Sequence, residues 1–277
     1  MDWLTSHKLP VGVWLRSFFD WIVGTFPALF EAIDDGLSGL IDATLAGLEA
    51  LPPLVLIAAF AALTWALQRR WGPVAIVVGC FVYVVNQGYW DETLESLTLI
   101  LYACLLCMGL GVPIGIRAAH YPSFSRALRP VLDMMQTIPT FVYLIPMIAL
   151  FSIGMVPGLV ATLIFVLPAP IRLTELGIAS VPPALREAAL AFGATPRQVL
   201  TKVELPYAFP QIMAGLNQTI MLSLSMVVIA ALVGADGLGV PVVRALNSVN
   251  IALGFESGLV IVAVAVALDR MLKVERA

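Results

Sequence analysis

Two histidines and three cysteines are the only imidazoles and thiols in this chain of 277 residues. His7 and His120 stand in no HExxH or other ligand spacing, and no Ser/His/Asp grouping can be assembled around them. Cys104 and Cys107 form a CxxC, but in an apolar stretch with no second pair and no neighbouring histidine. With Cys80 they read as small buried side chains, with no metal or redox site expected. No Gly-Lys dipeptide occurs, so a phosphate-cradling P-loop is absent. The glycines of GADGLG at 234–239 close an apolar run without a following βαβ pattern, and read as a turn. Catalytic chemistry has no candidate here.

The densest patterning lies instead in EAALAFGATPRQVLTKVELP, Glu187 to Pro206. Pro182 and Pro183 mark a helix start. The next residues set Leu185, Ala188, Ala189 and Phe192 at helical spacing, and Gly193 is suited to a left-handed cap. Thr195, Pro196 and Gln198 predict a capping box at the start of a second helix. Pro206 is expected to interrupt that helix. The result is a stiff helix–turn–helix with a face of alanines, which another protein surface can approach closely. Such a unit suits mechanical work, being gripped and moved as a body.

The elements around it belong in a membrane. The chain is 60% apolar and 12% charged, with a mean hydropathy of +0.97, outside the range of soluble domains. Segments of about 20 apolar residues predict seven spans near 52–68, 72–89, 95–116, 131–152, 155–171, 212–234 and 257–270. Nothing at the start resembles a signal peptide. Setting the Glu187–Pro206 hairpin in the cytoplasm places Arg69, Arg70, Arg117, Arg126, Arg129, Arg172, Arg186, Arg197, Lys202, Arg270, Lys273 and Arg276 inside. Only Lys8, Arg16 and Arg244 are left outside. The positive-inside rule therefore predicts an outer N-terminus and an inner C-terminus. A net charge of −3 does not suggest nucleic acid as a partner.

Residues 11–50 carry apolar side chains every three or four positions, with Glu31, Asp34, Asp35, Asp42 and Glu49 on the opposite face. They predict one or two amphipathic helices, kinked near Pro27, lying along the outer surface of the membrane. Docking on the spans, docking on a partner copy and simple surface anchoring all remain open. The loop RAAHYPSFSRALRP is basic by topology, and His120 within it is expected to be solvated. Gly111 and Gly115 form a GxxxG that permits close helix packing.

The spacing of Glu187-Ala188-Ala189, Gly193, Val203 and Leu205-Pro206 resembles the EAA motif of ATP-binding cassette importer permeases. LDMMQTIPTFVYLIPMIALFSIG, PAPIRLTELGI, MAGLNQTIMLSLSMVVIAALVGADGLG and ALDR extend the resemblance over nearly the whole chain. They are similar to the permeases for glycine betaine, proline betaine and choline. The opening DWLTSHKLPVG looks most like the choline-importer branch. The resemblance implies an all-α type I importer fold in the bacterial inner membrane, with residues 51–277 as the permease domain and 180–208 as its coupling loop. It further implies a separate cassette ATPase carrying ATP and magnesium, and a soluble substrate-binding protein. Glu187, Ala188, Ala189, Gly193, Leu205 and Pro206 would engage the ATPase, and this chain would itself be no enzyme and hold no cofactor. One coupling loop per chain, set against a two-fold ATPase pair, implies a homodimer.

Gln136, Thr137, Thr140, Tyr143, Asn217, Gln218, Ser223 and Ser225 are candidates for the translocation path, since polar groups in spans face bundle interiors or cavities. For each, an interhelical hydrogen bond is equally open. Asp133 is expected to pair with Arg129 or cap its helix, and Asp269 and Arg270 to end the last span. A secondary transporter would call for intramembrane carboxylates and paired broken helices, which the sequence does not suggest. A permease for an amino acid or another small solute would share the hairpin, and only the span-level resemblance opposes it.

Overall fold

The computed structural model describes residues 10–272; the expectations for His7, Lys8, Lys273, Arg276 and most of DWLTSHKLPVG lie outside them. Helix α1 (Val11–Thr25) and helix α2 (Pro27–Glu49) meet at Phe26, with Pro27 opening α2 as foreseen. Pro52 and Pro53 then turn the chain through 102° into α3 (Pro53–Gln68). Arg69 closes α3 at φ +55 and Gly88 closes α4 (Trp71–Gln87) at φ +79. Helix α5 (Trp90–His120) covers 31 residues, or about 45 Å at 1.5 Å per residue.

The segment expected as a fourth span is not one rod. It comprises α6 (Pro122–Thr137) and α7 (Thr140–Phe151), set at 95° to each other. Pro139 has no N–H for the helical ladder and forces Ile138 into an extended conformation, ψ 129. Helix α8 (Met155–Val166) continues through Leu167 into α9 (Pro168–Ala179), eight residues beyond the expected end of the fifth span. The hairpin helix α10 (Pro183–Ala191) follows, then α11 (Pro196–Val233), α12 (Gly239–Ser248) and α13 (Ile251–Leu272). Among the described residues four helices are individually long and apolar enough to cross a membrane, or six if each bent pair is one span. The expectation of seven also counted α4, an apolar helix of 17 residues.

Two packed blocks share α5. Helices α3, α4 and α13 gather around Phe81, Val77 and Val264, all essentially inaccessible, with Phe60 stacked on Phe81 at 4.8 Å. In the other, α9 is wedged between α5 and α11 with almost no side chain intervening. A Cβ added at Gly111 would come within 2.9 Å of Pro170, and one at Gly115 within 2.6 Å of the Ile171 carbonyl. On the far side, a Cβ at Gly177 would meet Gln211 at 2.9 Å, and one at Gly215 would meet Pro170 at 3.3 Å. The GxxxG thus does the packing work expected of it, and α9 touches both neighbours at backbone distance.

Helix α2 lies across α5, α7 and α8, burying Ile41 and setting Phe30 edge-on to Phe151 at 5.6 Å. Tyr102 of α5 donates to the Leu40 carbonyl at 2.9 Å and exchanges a bond with Thr44 at 2.7 Å. Gln68 at the end of α3 donates to the Met271 carbonyl at 3.3 Å, tying it to the end of α13, where Asp269 and Arg270 were expected to finish the span.

Substituting Gly115→Val should destabilise the fold by about 1–3 kcal/mol, the usual cost of overpacking. Gly109→Val, whose Cβ would meet nothing within 4 Å, should be tolerated. Thermal unfolding of the two variants in detergent, followed by loss of the monodisperse peak, checks this.

Candidate coupling hairpin and transmembrane path

Every residue matched to the motif lies in one surface-exposed hairpin. Helix α10 ends in a Schellman cap: Gly193 takes φ +78, its N–H bonds the Leu190 carbonyl at 2.9 Å, and the Ala194 N–H bonds the Ala189 carbonyl at 3.0 Å. The expected capping box closes the next helix, with Thr195 N–H to Gln198 Oε1 at 2.8 Å and Gln198 N–H to Thr195 Oγ1 at 3.4 Å. Caps on both sides hold the turn without help from the membrane. Glu187 and Ala188 are exposed and Ala189 is half-buried. Phe192 is 92% exposed, and Leu185 and Leu190 are also open. An apolar knob and a small-residue face thus stand clear of the chain's own packing.

Pro206 does not interrupt the second helix. Leu200–Glu204 widens into a π turn, the Leu205 N–H bonds the Leu200 carbonyl, and helical structure runs on through Pro206 and Pro210 to Val233. The π turn shifts the hydrogen-bond ladder just where Pro206 has no donor to give. The hairpin's second limb is therefore the start of the 38-residue α11 itself. Its Leu205 is half-buried and its Pro206 exposed.

The hairpin is fastened at its root by Glu204, 3% exposed. His120 Nε2, at the end of α5, lies 2.8 Å from Glu204 Oε2. Arg186 Nε, on α10, lies 2.8 Å from Glu204 Oε1, an ion-pair contact with the N–H aimed off the oxygen. Arg186 also donates through Nη2 to the Ile178 carbonyl near the end of α9. One buried carboxylate so joins α5, α10 and α11, and Arg186 extends the link to α9. His120, expected to be solvated, is exposed and also reaches Glu204 at the corner between α5 and α6.

Next to this root a second ionic cluster links α6 to α9. Arg172 pairs with Asp133 at 2.5 Å and Arg129 with Glu175 at 3.5 Å, while Ser125 Oγ donates to Glu175 at 2.6 Å. Asp133 was expected to pair with Arg129 or cap its helix. It pairs with Arg172 instead, because α9 offers Arg172 and Glu175 on one face, opposite Asp133 and Arg129 on α6. These four side chains line a recess of about 360 Å³.

The path candidates lie on two elements, the α6–α7 bend and α11. Gln136, Thr137, Thr140 and Tyr143 cluster at the α6–α7 bend, where Tyr143 and Thr137 donate to the Met134 carbonyl at 3.2 and 3.4 Å. On α11, Ser223 is fully buried with its Oγ unpartnered, and Asn217 Oδ1 is likewise unpartnered. Ser225 is exposed and bonds the Met221 carbonyl at 3.2 Å. Two helical positions are about 200° apart, so Ser223 and Ser225 face opposite ways. The open face of α11 carries Gln218, Met221 and Ser225.

At the other end of α5, Asp91, Glu92, Glu95 and Asp236 line a recess of about 300 Å³ with Tyr89 and Arg244. The GADGLG segment forms the expected turn there, with Gly234 at φ +82 and Gly237 at φ +119, and the Leu238 N–H bonds Ser96 Oγ at 2.8 Å. Sequence reasoning missed Glu204 and Arg186; a lone glutamate just before Leu205-Pro206 was the only signal, and nothing in the spacing named its partners.

A family model described as "Binding-protein-dependent transport system inner membrane component" matches residues 111–272. The glycine betaine transport system permease protein OpuAB of Bacillus subtilis (strain 168) is 45% identical over 264 residues, 95% of this chain and 93% of its own length. The glycine betaine/proline betaine permease protein ProW of Escherichia coli (strain K12) is 41% identical over 287 residues, 98% of this chain and 81% of its own length. The choline transport system permease protein OpuBD of Bacillus subtilis matches more distantly, 34% over 61% of this chain and 75% of its own length. The finer likeness thus runs to the betaine members more than to the choline branch. Among solved structures, the inward-facing MetNI methionine ABC transporter aligns with a TM-score of 0.59 at 22% identity, over 69% of this chain and 96% of that one, which speaks for the type I importer fold. This chain is a multi-pass inner-membrane permease and belongs to the binding-protein-dependent transport system inner membrane components.

Proposed function

We propose that the chain is the permease subunit of an ABC importer that carries a quaternary amine, foremost glycine betaine, into the cell. ATP and magnesium act on a separate cassette ATPase, and a soluble binding protein delivers the solute. The near full-length similarity to permeases named for glycine betaine supports the substrate class. The observation that carries the coupling role is the hairpin itself, which is capped at both limbs and continuous with α9 and α11. It presents Phe192, Ala188 and Glu187 to a partner.

In this reading the hairpin lies on the cytoplasmic side and the α1–α2 helices on the outer side. Two copies assemble so that each hairpin meets one ATPase. ATPase closure draws the hairpins together, and the α5–α9–α11 block of each copy rocks against the other. The polar residues of the α6–α7 bend and of the open α11 face then line the route between copies. A weakly binding route suits a system whose affinity resides in the binding protein.

Phe192→Asp and Glu187→Lys should each leave insertion intact and lower recovery of the ATPase with the tagged permease by about tenfold, as for a central contact residue. Unchanged recovery in detergent would show that the ATPase grips the chain elsewhere. Competition uptake in proteoliposomes holding the whole transporter should show glycine betaine displacing labelled solute better than choline at equal concentration. Uptake of a neutral amino acid without uptake of either amine would assign the permease to another substrate class.

A further inference from the structure

We infer that Glu204 is a positioning residue, the pin that transmits motion of the coupling hairpin to α5. The inference rests on the coupling role proposed above and goes beyond the matched motif, in which Glu204 has no part. Motion of α10 can reach α9 along the chain through Val181 and Pro182, and α11 through the turn at Gly193. The described chain has no covalent route of comparable length from α10 to α5, since their sequence separation spans α6 to α9. Arg186 of α10 and His120 of α5 instead meet on one buried carboxylate of α11, each 2.8 Å from Glu204, at the point where the hairpin leaves the packed helices.

Burial gives this contact its stiffness. A carboxylate 3% exposed sits in low dielectric, where losing its arginine partner is costly. Both neighbours are partly wet, with 32% of the Arg186 and 38% of the His120 side chain exposed. Glu204→Gln therefore strands no buried cation: it keeps the shape and an acceptor oxygen while removing the charge that holds both. The backbone adds its own argument. The π turn Leu200–Glu204, of a kind frequent at functional sites, ends on this very residue, so the break in the regular ladder and the buried carboxylate coincide.

The test uses the full transporter, permease with its ATPase and binding protein, in proteoliposomes supplied with labelled glycine betaine and ATP. Glu204→Gln should recover ATPase as the wild type does and hydrolyse ATP within about twofold of it. It should move roughly five- to tenfold less glycine betaine per ATP, the scale of couplings carried by such networks. His120→Gln should act in the same direction, and the double variant should be no worse than the worse single, as for two partners of one contact. A wild-type ratio of solute to ATP in Glu204→Gln would overturn the inference and leave the coupling role standing. Equal losses of assembly, hydrolysis and uptake would also overturn it, since they would mark Glu204 as needed only for folding. A wild-type complex that recruits no ATPase or takes up no glycine betaine would defeat the importer reading and this inference together.

Discussion

At Gly115 the backbone of α5 rests on that of α9, and at Gly177 and Gly215 the other side of α9 rests on α11. In hydrocarbon no hydrophobic force pulls helices together, so close approach and the dispersion contacts it allows must do so. Three rods in backbone contact cannot slide without rebuilding the whole interface. They behave as one block, and the hairpin grows out of that block at two points, from the end of α9 and the start of α11. Everything proposed about force transmission presumes that this block is stiff.

Electrostatics arranges the rest. In a chain that is 60% apolar, the ion pairs that tie one described helix to another gather at the hairpin end of the bundle. Arg172–Asp133 and Arg129–Glu175 hold the bent α6 to α9 at the same end of the bundle as the hairpin. The opposite end of α5 gathers carboxylates around Asp91, Glu92 and Asp236. The two ends of one long helix thus differ in chemistry, one cross-linked by paired charges and one predominantly acidic.

The hairpin was the most legible part of the sequence, because its caps are local. Gly193, Thr195 and Gln198 each determine the conformation of residues within four positions, so their types alone specify the turn. The GxxxG was legible for a similar reason: absence of a side chain has one structural use in a lipid-facing helix. Pro206 was read as a break in the helix and the predicted fourth span ran straight across Pro139, and the two prolines show why. A proline removes one donor, but whether the chain bends by 95°, as at Pro139, or widens into a π turn, as before Pro206, depends on what packs around it. The partners of Asp133, His120 and Glu204 were invisible for the same cause, since each comes from a helix distant in sequence. The polar residues of α11 could be listed from sequence, yet their facing directions, Ser223 inward and Ser225 outward, follow only from the packing of α9 against α11.

The central claim is that hairpin and block move together. Spin labels at exposed Ala191 on the hairpin and exposed Tyr121 at the end of α5 would measure it in the assembled transporter, with and without trapped ATP. The account predicts that the Ala191–Tyr121 distance within one copy stays the same while the Ala191–Ala191 distance between copies shortens. A hairpin that swings relative to Tyr121 while the two copies keep their separation would contradict it.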